Sequence, residues 1–281
     1  MRTAPSEAGQ VVRPTVGPFL AITFGWTWSL WGLAAVSGAS LAAPAGGSLY
    51  MLGGLGPLVA AVWLLRRSGR SYRRDVVRRV SDPRRIRLRW WCALAAVSAG
   101  PAVIGAVAAW LAGADATVPP YGLGAVGGVL AVALLAGAAE EPGWRGVASD
   151  AWQRHALPAW AGLGIGAAWA LWHLPLAFID GTYYSGLGFG SVAYWLTILA
   201  LVQLGVLYLW LANGSGGSIL VAILAHAGFN AAGELVPRST TGDVVAFCVV
   251  TTATVAVIAA TRGRLRLAVA GPRGHRPDRS G

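Results

Sequence analysis

Apolar stretches of membrane-spanning length recur along the whole chain. Eight can be drawn, at 16–38, 48–65, 90–112, 121–145, 158–179, 191–212, 219–236 and 243–261. About 20 apolar residues are needed to cross ~30 Å of hydrocarbon as a helix. A soluble core of this size would mix its apolar residues with charge, but charged residues make up only 12% of the 281, about half the usual share. The pattern predicts an all-α, polytopic membrane protein of about eight transmembrane helices. A disulfide scaffold or a cysteine-based metal site is not expected. Cys92 and Cys248 sit singly inside apolar blocks, with neither metal-ligand nor disulfide spacing. The block at 16–38 is longer than a signal-peptide core and reads as a retained helix.

The net charge is +11, and all of the basic charge is arginine. Eleven of the 22 arginines lie between Arg66 and Arg89, and six more between Arg262 and Arg279. Nucleic-acid binding could use such charge. Flanking of membrane helices on the cytoplasmic side accounts for it better, so no nucleic-acid partner is expected. Placing the Arg66–Arg89 loop in the cytoplasm puts both termini there as well. The opposite loops then carry Asp115, Asp180 and Asp243 against Arg238 alone. The chain divides into a cytoplasmic segment 1–15, three helices over 16–119 that include the arginine loop 66–89, a helical region 120–261, and a basic, disordered tail 262–281. Gly124 with Gly128, and Gly162 with Gly166, form small-xxx-small patterns suited to close helix packing in lipid.

Ionisable side chains inside such spans are costly and need a reason. The stretch "AGAAEEPGWRG", 136–146, closes a run without charge and brings Glu140, Glu141 and Arg145 together. Glu141 and Arg145 are four apart, so they share a helix face and can pair. Glu140 points about 100° away and is left unexplained. His173 lies in "WALWHLP", four residues after Trp169. His226 and Asn230 share one face of the seventh span. At 1.5 Å per residue, these groups come to comparable depths of roughly 10–20 Å. Pro142 and Pro175, each two residues beyond an ionisable group, free carbonyls and hint at a cavity. Glu234 is expected to pair with Arg238. Gln203 is expected to bond between helices, and Ser215 to lie in a flexible loop.

A buried carboxylate, two imidazoles and a carboxamide suit hydrolysis, with a base for water and donors for an oxyanion. Glu140, His173 and His226 could equally hold a divalent metal such as zinc. The HExxH and GxSxG signatures are missing. The motifs themselves resemble those of the CAAX prenyl endopeptidase and bacteriocin-processing (CPBP) family of membrane proteases. "EEPGWR" fits EExxxR, "HAGFN" fits HxxxN, and "WALWH" fits FxxxH with Trp169 in place of Phe. The resemblance covers about residues 120 to 236. It implies that Glu140 activates water and that Glu141, held by Arg145, supports it. It implies further that His173 positions the water and that His226 and Asn230 bind the oxyanion. Trp169 supports the site. Both a metal and a metal-free glutamate mechanism are compatible with the family. The expected activity is cleavage, from the cytoplasmic side, of a membrane-associated peptide, prenylated or bacteriocin-like, by a multi-pass protein of the cell membrane. Two other readings share these residues. One is a non-catalytic scaffold or self-immunity protein of the same fold. The other is a proton-coupled transporter, against which stands the lack of an inverted repeat.

Overall fold

The computed structural model describes residues 13–114 and 122–266, and these are helical with no strand. The elements are α1 (Val16–Val36), α2 (Pro44–Gly54), α3 (Gly56–Arg67), α4 (Arg70–Ser81), α5 (Leu88–Leu111), α6 (Leu123–Glu141), α7 (Ser149–Trp152), α8 (Pro158–Trp172), α9 (Tyr183–Leu187), α10 (Val192–Gly214), α11 (Ile219–Leu235) and α12 (Thr240–Thr261). A π-helical segment, Pro142–Ala148, joins α6 to α7, and a 3-10 turn, Leu174–Phe178, follows α8. Asp115, Tyr121 and the tail beyond Arg266 lie outside the described residues.

Among the described residues six helices are long and apolar enough to cross a membrane. The bent pair α2 and α3 makes a seventh if counted as one span. α11 is apolar but shorter, at 17 residues. The exterior is apolar too: Leu123, Val132, Leu135 and Val255 are exposed, as suits a surface solvated by lipid. The molecule is an all-α, multi-pass membrane protein.

Three local features depart from the sequence expectation. The span at 48–65 is bent by 40° between α2 and α3. Glycines 53, 54 and 56 and Pro57 cluster at that point; glycine lowers helix propensity and proline removes a donor. The Arg66–Arg89 segment contains a helix, α4, where the charge density suggested a loop. Its inner face carries Tyr72, Val76 and Arg79, spaced four and three apart, so they share one side. Val76 is buried and packs with Ile219 and Ile223. Arg79 Nη1 donates to Asp150 Oδ2 at 2.6 Å, and Arg79 Nε donates to the carbonyl of Gly217 at 2.6 Å. Tyr72 donates to the same Asp150 oxygen at 3.0 Å. Burial and the Asp150 charge hold the Tyr72 phenol well above its ordinary value. Ser215, expected in a flexible loop, is buried and donates to the carbonyl of Leu211 at 2.7 Å.

The two glycine patterns behave differently. A methyl group on Gly162 or Gly166 of α8 would collide with the backbone of α10 at Val206 or Val202. These glycines are what lets the two helices touch backbone to backbone. Gly124 and Gly128 have open space around them and hold no helix contact.

The core between the helices is aromatic. Trp144 of the π segment stands edge-on to Phe19 of α1, with ring centroids 5.1 Å apart, and to Trp172 of α8 at 6.3 Å. Trp172 in turn meets Trp31 at 4.6 Å. This layer fixes the π segment against α1 and α8, and so fixes the ionisable groups that flank it. The buried Gln203 Oε1, expected to bond between helices, has no partner among the described residues.

Candidate active site

Glu140 and Glu141 close the regular part of α6, and both are buried. Pro142 lacks an N–H, and the helix passes over it by widening into the π segment rather than stopping. Single π turns of this kind are frequent at functional sites. All seven residues of the segment are buried, including Arg145, which has no exposed surface.

The two glutamates part company, as their angular separation requires. Glu141 Oε1 accepts from Arg145 Nη1 at 3.0 Å and from His226 Nδ1 at 2.8 Å. The i,i+4 pair expected from the sequence is therefore half of a three-residue network reaching α11. Gly137, one turn before Glu141, makes that reach possible: a methyl there would lie 2.6 Å from the carbonyl oxygen of Ile223. The backbones of α6 and α11 can approach closely only because that methyl is missing.

Glu140 turns the other way, toward α8. Its Oε2 accepts the indole N–H of Trp169 at 2.7 Å. His173 sits at the end of α8, where Pro175 ends the helix in a 3-10 turn rather than kinking it. His173 Nδ1 lies 2.8 Å from the carbonyl of Trp169. A carbonyl only accepts, so Nδ1 carries the proton and Nε2 of the neutral ring is left as an acceptor.

Trp169 is the point where these groups meet. Its ring lies 5.5 Å from that of His173 and 5.2 Å from that of His226. The Arg145 guanidinium sits over its face at 4.7 Å, with Tyr208 of α10 at 4.9 Å. A buried guanidinium between two aromatic faces gains cation–π attraction where solvation is lacking. Glu140, Glu141, Arg145, Trp169, His173 and His226 are thus joined by direct contacts. Asn230 stands one turn beyond His226 on α11, as its spacing required, and makes no side-chain hydrogen bond among the described residues.

Asn230 lines a cavity of about 570 Å³ walled by α5, α6, α10, α11 and α12. Glu140, His173 and His226 are not in that wall. They form the layer behind its inner end: Ala136, Leu204 and Asn230 line the cavity, each one helical turn from Glu140, Tyr208 and His226. Tyr184 joins the two regions, lining the cavity with its ring 5.1 Å from that of His173. Tyr184 and Tyr208 are site residues that sequence reasoning passed over. Tyr184 lay among aromatics of an outer loop, and Tyr208 in a uniformly apolar span.

Glu234 also lines the cavity. Arg238, its expected partner, makes two hydrogen bonds to Asp243 instead, at 3.2 and 2.9 Å. α12 begins at Thr240, so the chain turns between them and brings Asp243 to the guanidinium.

A zinc ion on Glu140, His173 and His226 does not suit this arrangement. No three His, Cys, Asp or Glu side chains among the described residues converge to hold a metal. The polar atoms face other partners: Glu140 is bonded to Trp169, and His226 is bonded to Glu141.

Comparison with known proteins agrees with the geometry. The model of the type II CAAX prenyl endopeptidase Rce1-like family matches residues 122–232. A curated protein, CAAX prenyl protease 2 of Methanococcus maripaludis, is 35% identical over 108 residues. That alignment covers 38% of this chain and 40% of the relative, so the chain spans about two fifths of the length of the protein it matches. The family match runs over α6 to α11, the part of the chain that carries every residue of the network. Through this segment, the chain is similar to the Rce1-like CAAX prenyl endopeptidases.

Proposed function

We propose that this protein is an intramembrane endopeptidase of the cell membrane that hydrolyses a peptide bond of a membrane-associated substrate with a glutamate-activated water. The observation that carries this reading is the division of labour between two adjacent acids. Glu141 is neutralised by Arg145 and His226, while Glu140 holds a single neutral donor and lies next to a cavity. An acid spent on structure makes two strong bonds; an acid kept for chemistry is left with capacity to accept a proton.

In this reading water sits between Glu140 and His173. His173 Nε2 accepts one of its hydrogen bonds, and Glu140 removes a proton as the oxygen attacks the scissile carbonyl. The new C–O bond forms as the carbonyl π pair moves to oxygen. His226 as the imidazolium, its Nδ1–H held by Glu141, donates from Nε2 to that oxyanion, and the Asn230 amide donates beside it. Collapse breaks the C–N bond, and the proton held on Glu140 passes to the departing amine. No step requires a metal. The relative's name, CAAX prenyl protease 2, supports a substrate cut near a prenylated cysteine; a bacteriocin-type peptide fits the same chamber.

The test is a comparison of peptides released from membranes bearing the native chain, Glu140→Gln or His173→Ala. Both variants should accumulate as folded membrane protein and lose cleavage, by a factor of at least ~100 for loss of a general base. Full cleavage by either would remove the mechanism.

A further inference from the structure

The segment between α3 and α5 carries more positive charge than its own acids answer. Eleven arginines lie from Arg66 to Arg89, against Asp75 and Asp82. Both acids are committed. Asp75 lies 3.8 Å from Arg79 and 4.0 Å from Arg85. Asp82 lies 3.8 Å from Arg85 and also accepts from the amide of Arg84. Asp150, reaching in from α7, goes to Arg79 as well. These three carboxylates are therefore drawn to the same two arginines, which are further held by the carbonyls of Gly217 and Gly216.

What remains is the other side of α4. Tyr72, Val76 and Arg79 face the protein, so Arg70, Arg73, Arg74 and Arg78 fall within one outward arc of about 140°. All four are exposed, and none has a carboxylate within ion-pair distance among the described residues. Like charges four apart weaken a helix. The inner contacts of Val76, Tyr72 and Arg79 hold α4 in place against that repulsion. A counter-charge from outside the chain would relieve it.

The position of α4 indicates where that charge comes from. α3, paired with α2, and α5 are both candidate membrane spans. α3 ends at Arg67 and α5 begins at Leu88, so α4 joins the ends of two spans. That is the level at which acyl chains give way to headgroups. The Arg67 guanidinium lies over the Trp63 ring, 3.9 Å from its centroid, as suits an interfacial aromatic and a cation reaching for the headgroups. Val77, in the middle of the arginine arc, is 57% exposed, and Leu88 beyond it is 78% exposed. Apolar side chains set among arginines match the boundary between headgroups and acyl chains. A soluble acidic partner would answer the charge and leave these side chains unexplained.

We propose that the outer face of α4 is a docking surface for anionic phospholipid headgroups of the membrane the chain spans. Arg70, Arg73, Arg74 and Arg78 donate to the phosphate oxygens, for which the guanidinium fork is well shaped. The inner face of α4 rests on Asp150, just past the π segment, and on Ile219 and Ile223 of α11. Lipid settling on the outer face thus braces the two elements that hold Arg145 and His226.

The test places a reporter inside the arc. The full chain with Cys92→Ala and Cys248→Ala receives Val77→Cys, is labelled there with bimane and is reconstituted in phosphatidylcholine vesicles. Phosphatidylglycerol or phosphatidylcholine carrying a nitroxide high on its acyl chain is then included in equal amounts. A basic residue near an anionic surface is worth about fivefold in lipid affinity, so phosphatidylglycerol should quench at a mole fraction at least ~5-fold lower. The preference should vanish in about 1 M NaCl, where screening acts within ~3 Å. It should also vanish when all four arginines become Gln, fall partway in Arg70→Gln with Arg74→Gln, and survive largely when all four become Lys. Equal quenching by the two lipids in the otherwise native chain would overturn the proposal. So would a preference that persists with four glutamines, which would put the lipid on other arginines. Millimolar inorganic phosphate or a polyglutamate peptide, at matched ionic strength, should leave the quenching unchanged. Displacement by either would assign the face to a soluble anion or an acidic protein, and the lipid proposal would fall.

Discussion

The indole nitrogen of Trp169 and a carboxylate oxygen of Glu140 lie 2.7 Å apart. In the FxxxH pattern that this stretch resembles, the position is Phe, which has no N–H to give. The substitution therefore adds a hydrogen bond to the acid at the centre of the site, and does more than conserve an aromatic ring. Because the same ring supports Arg145, and the same residue's carbonyl holds His173, position 169 controls both the acid and the imidazole.

Trp169→Phe separates these duties. The ring stays and the donor is lost. A hydrogen bond to a charged group is worth roughly 1.5–3 kcal/mol, which corresponds to about 10–150-fold in rate if the bond serves the transition state. The expected outcome is a fall in kcat of that order with KM little changed, and unaltered thermal stability in detergent within about 1 kcal/mol. Equal kcat in the two proteins would show that Glu140 does not use the bond.

Arg145→Ala leaves Glu141 and His226 without their buried cation. Removing one partner of a buried ion pair costs about 3–5 kcal/mol, and here two aromatic faces lose their contact as well. The variant should accumulate poorly, or melt well below the native protein when followed by size-exclusion recovery after heating. Arg145→Lys keeps the charge but not the flat guanidinium stacked between Trp169 and Tyr208, and should fall between them. Normal recovery of Arg145→Ala would show that the network contributes little to the fold.

The ionisable residues and their helices were legible from the sequence because in lipid each charged group stands out against an apolar background. Spacing within one helix was legible as well: Glu141 with Arg145, and His226 with Asn230, follow from four-residue periodicity. Contacts between helices were not. Nothing in the sequence of α6 says that Glu141 meets His226, since that depends on how closely two backbones approach at Gly137. The helix α4 was hidden because its apolar stripe is one residue wide, Val76, and its remaining inner positions are a tyrosine and an arginine satisfied by Asp150. The cavity was hidden for a different reason. Many of its wall residues are alanine, valine and leucine, which read the same whether they face lipid or empty space.

Asp150→Asn tests the joint between α4 and the segment that follows the π turn. Asp150 takes hydrogen bonds from both Tyr72 and Arg79, and Asp150 outweighs the burial that opposes the Arg79 charge, holding its pKa above the ordinary value. Both side chains retain some exposure, 12% for Arg79 and 21% for Asp150, so the loss should be about 1–2 kcal/mol, below the fully buried case. Faster proteolytic nicking within Arg66–Arg89, in vesicles that expose the α4 face, is the expected sign. An unchanged nicking rate would mean that packing of Val76 alone holds α4.

The glycine pairs offer a test of packing that is independent of chemistry. Gly166→Ala places a methyl against the backbone of Val202, and neither helix can yield without shifting the other. Overpacking of this kind costs about 1–3 kcal/mol. α8 carries Trp169 and ends at His173, so a displaced α8 should lower activity as well as stability. Gly124→Ala meets open space and gains helix propensity of up to about 1 kcal/mol, so it should be neutral or mildly stabilising. The two substitutions add the same methyl to the same sequence pattern, and the difference between them comes from what lies opposite each glycine. Equal thermal recovery of the two variants would mean that α8 and α10 do not meet along the Gly162–Gly166 face. The position of Trp169 relative to Glu140 would then need another cause.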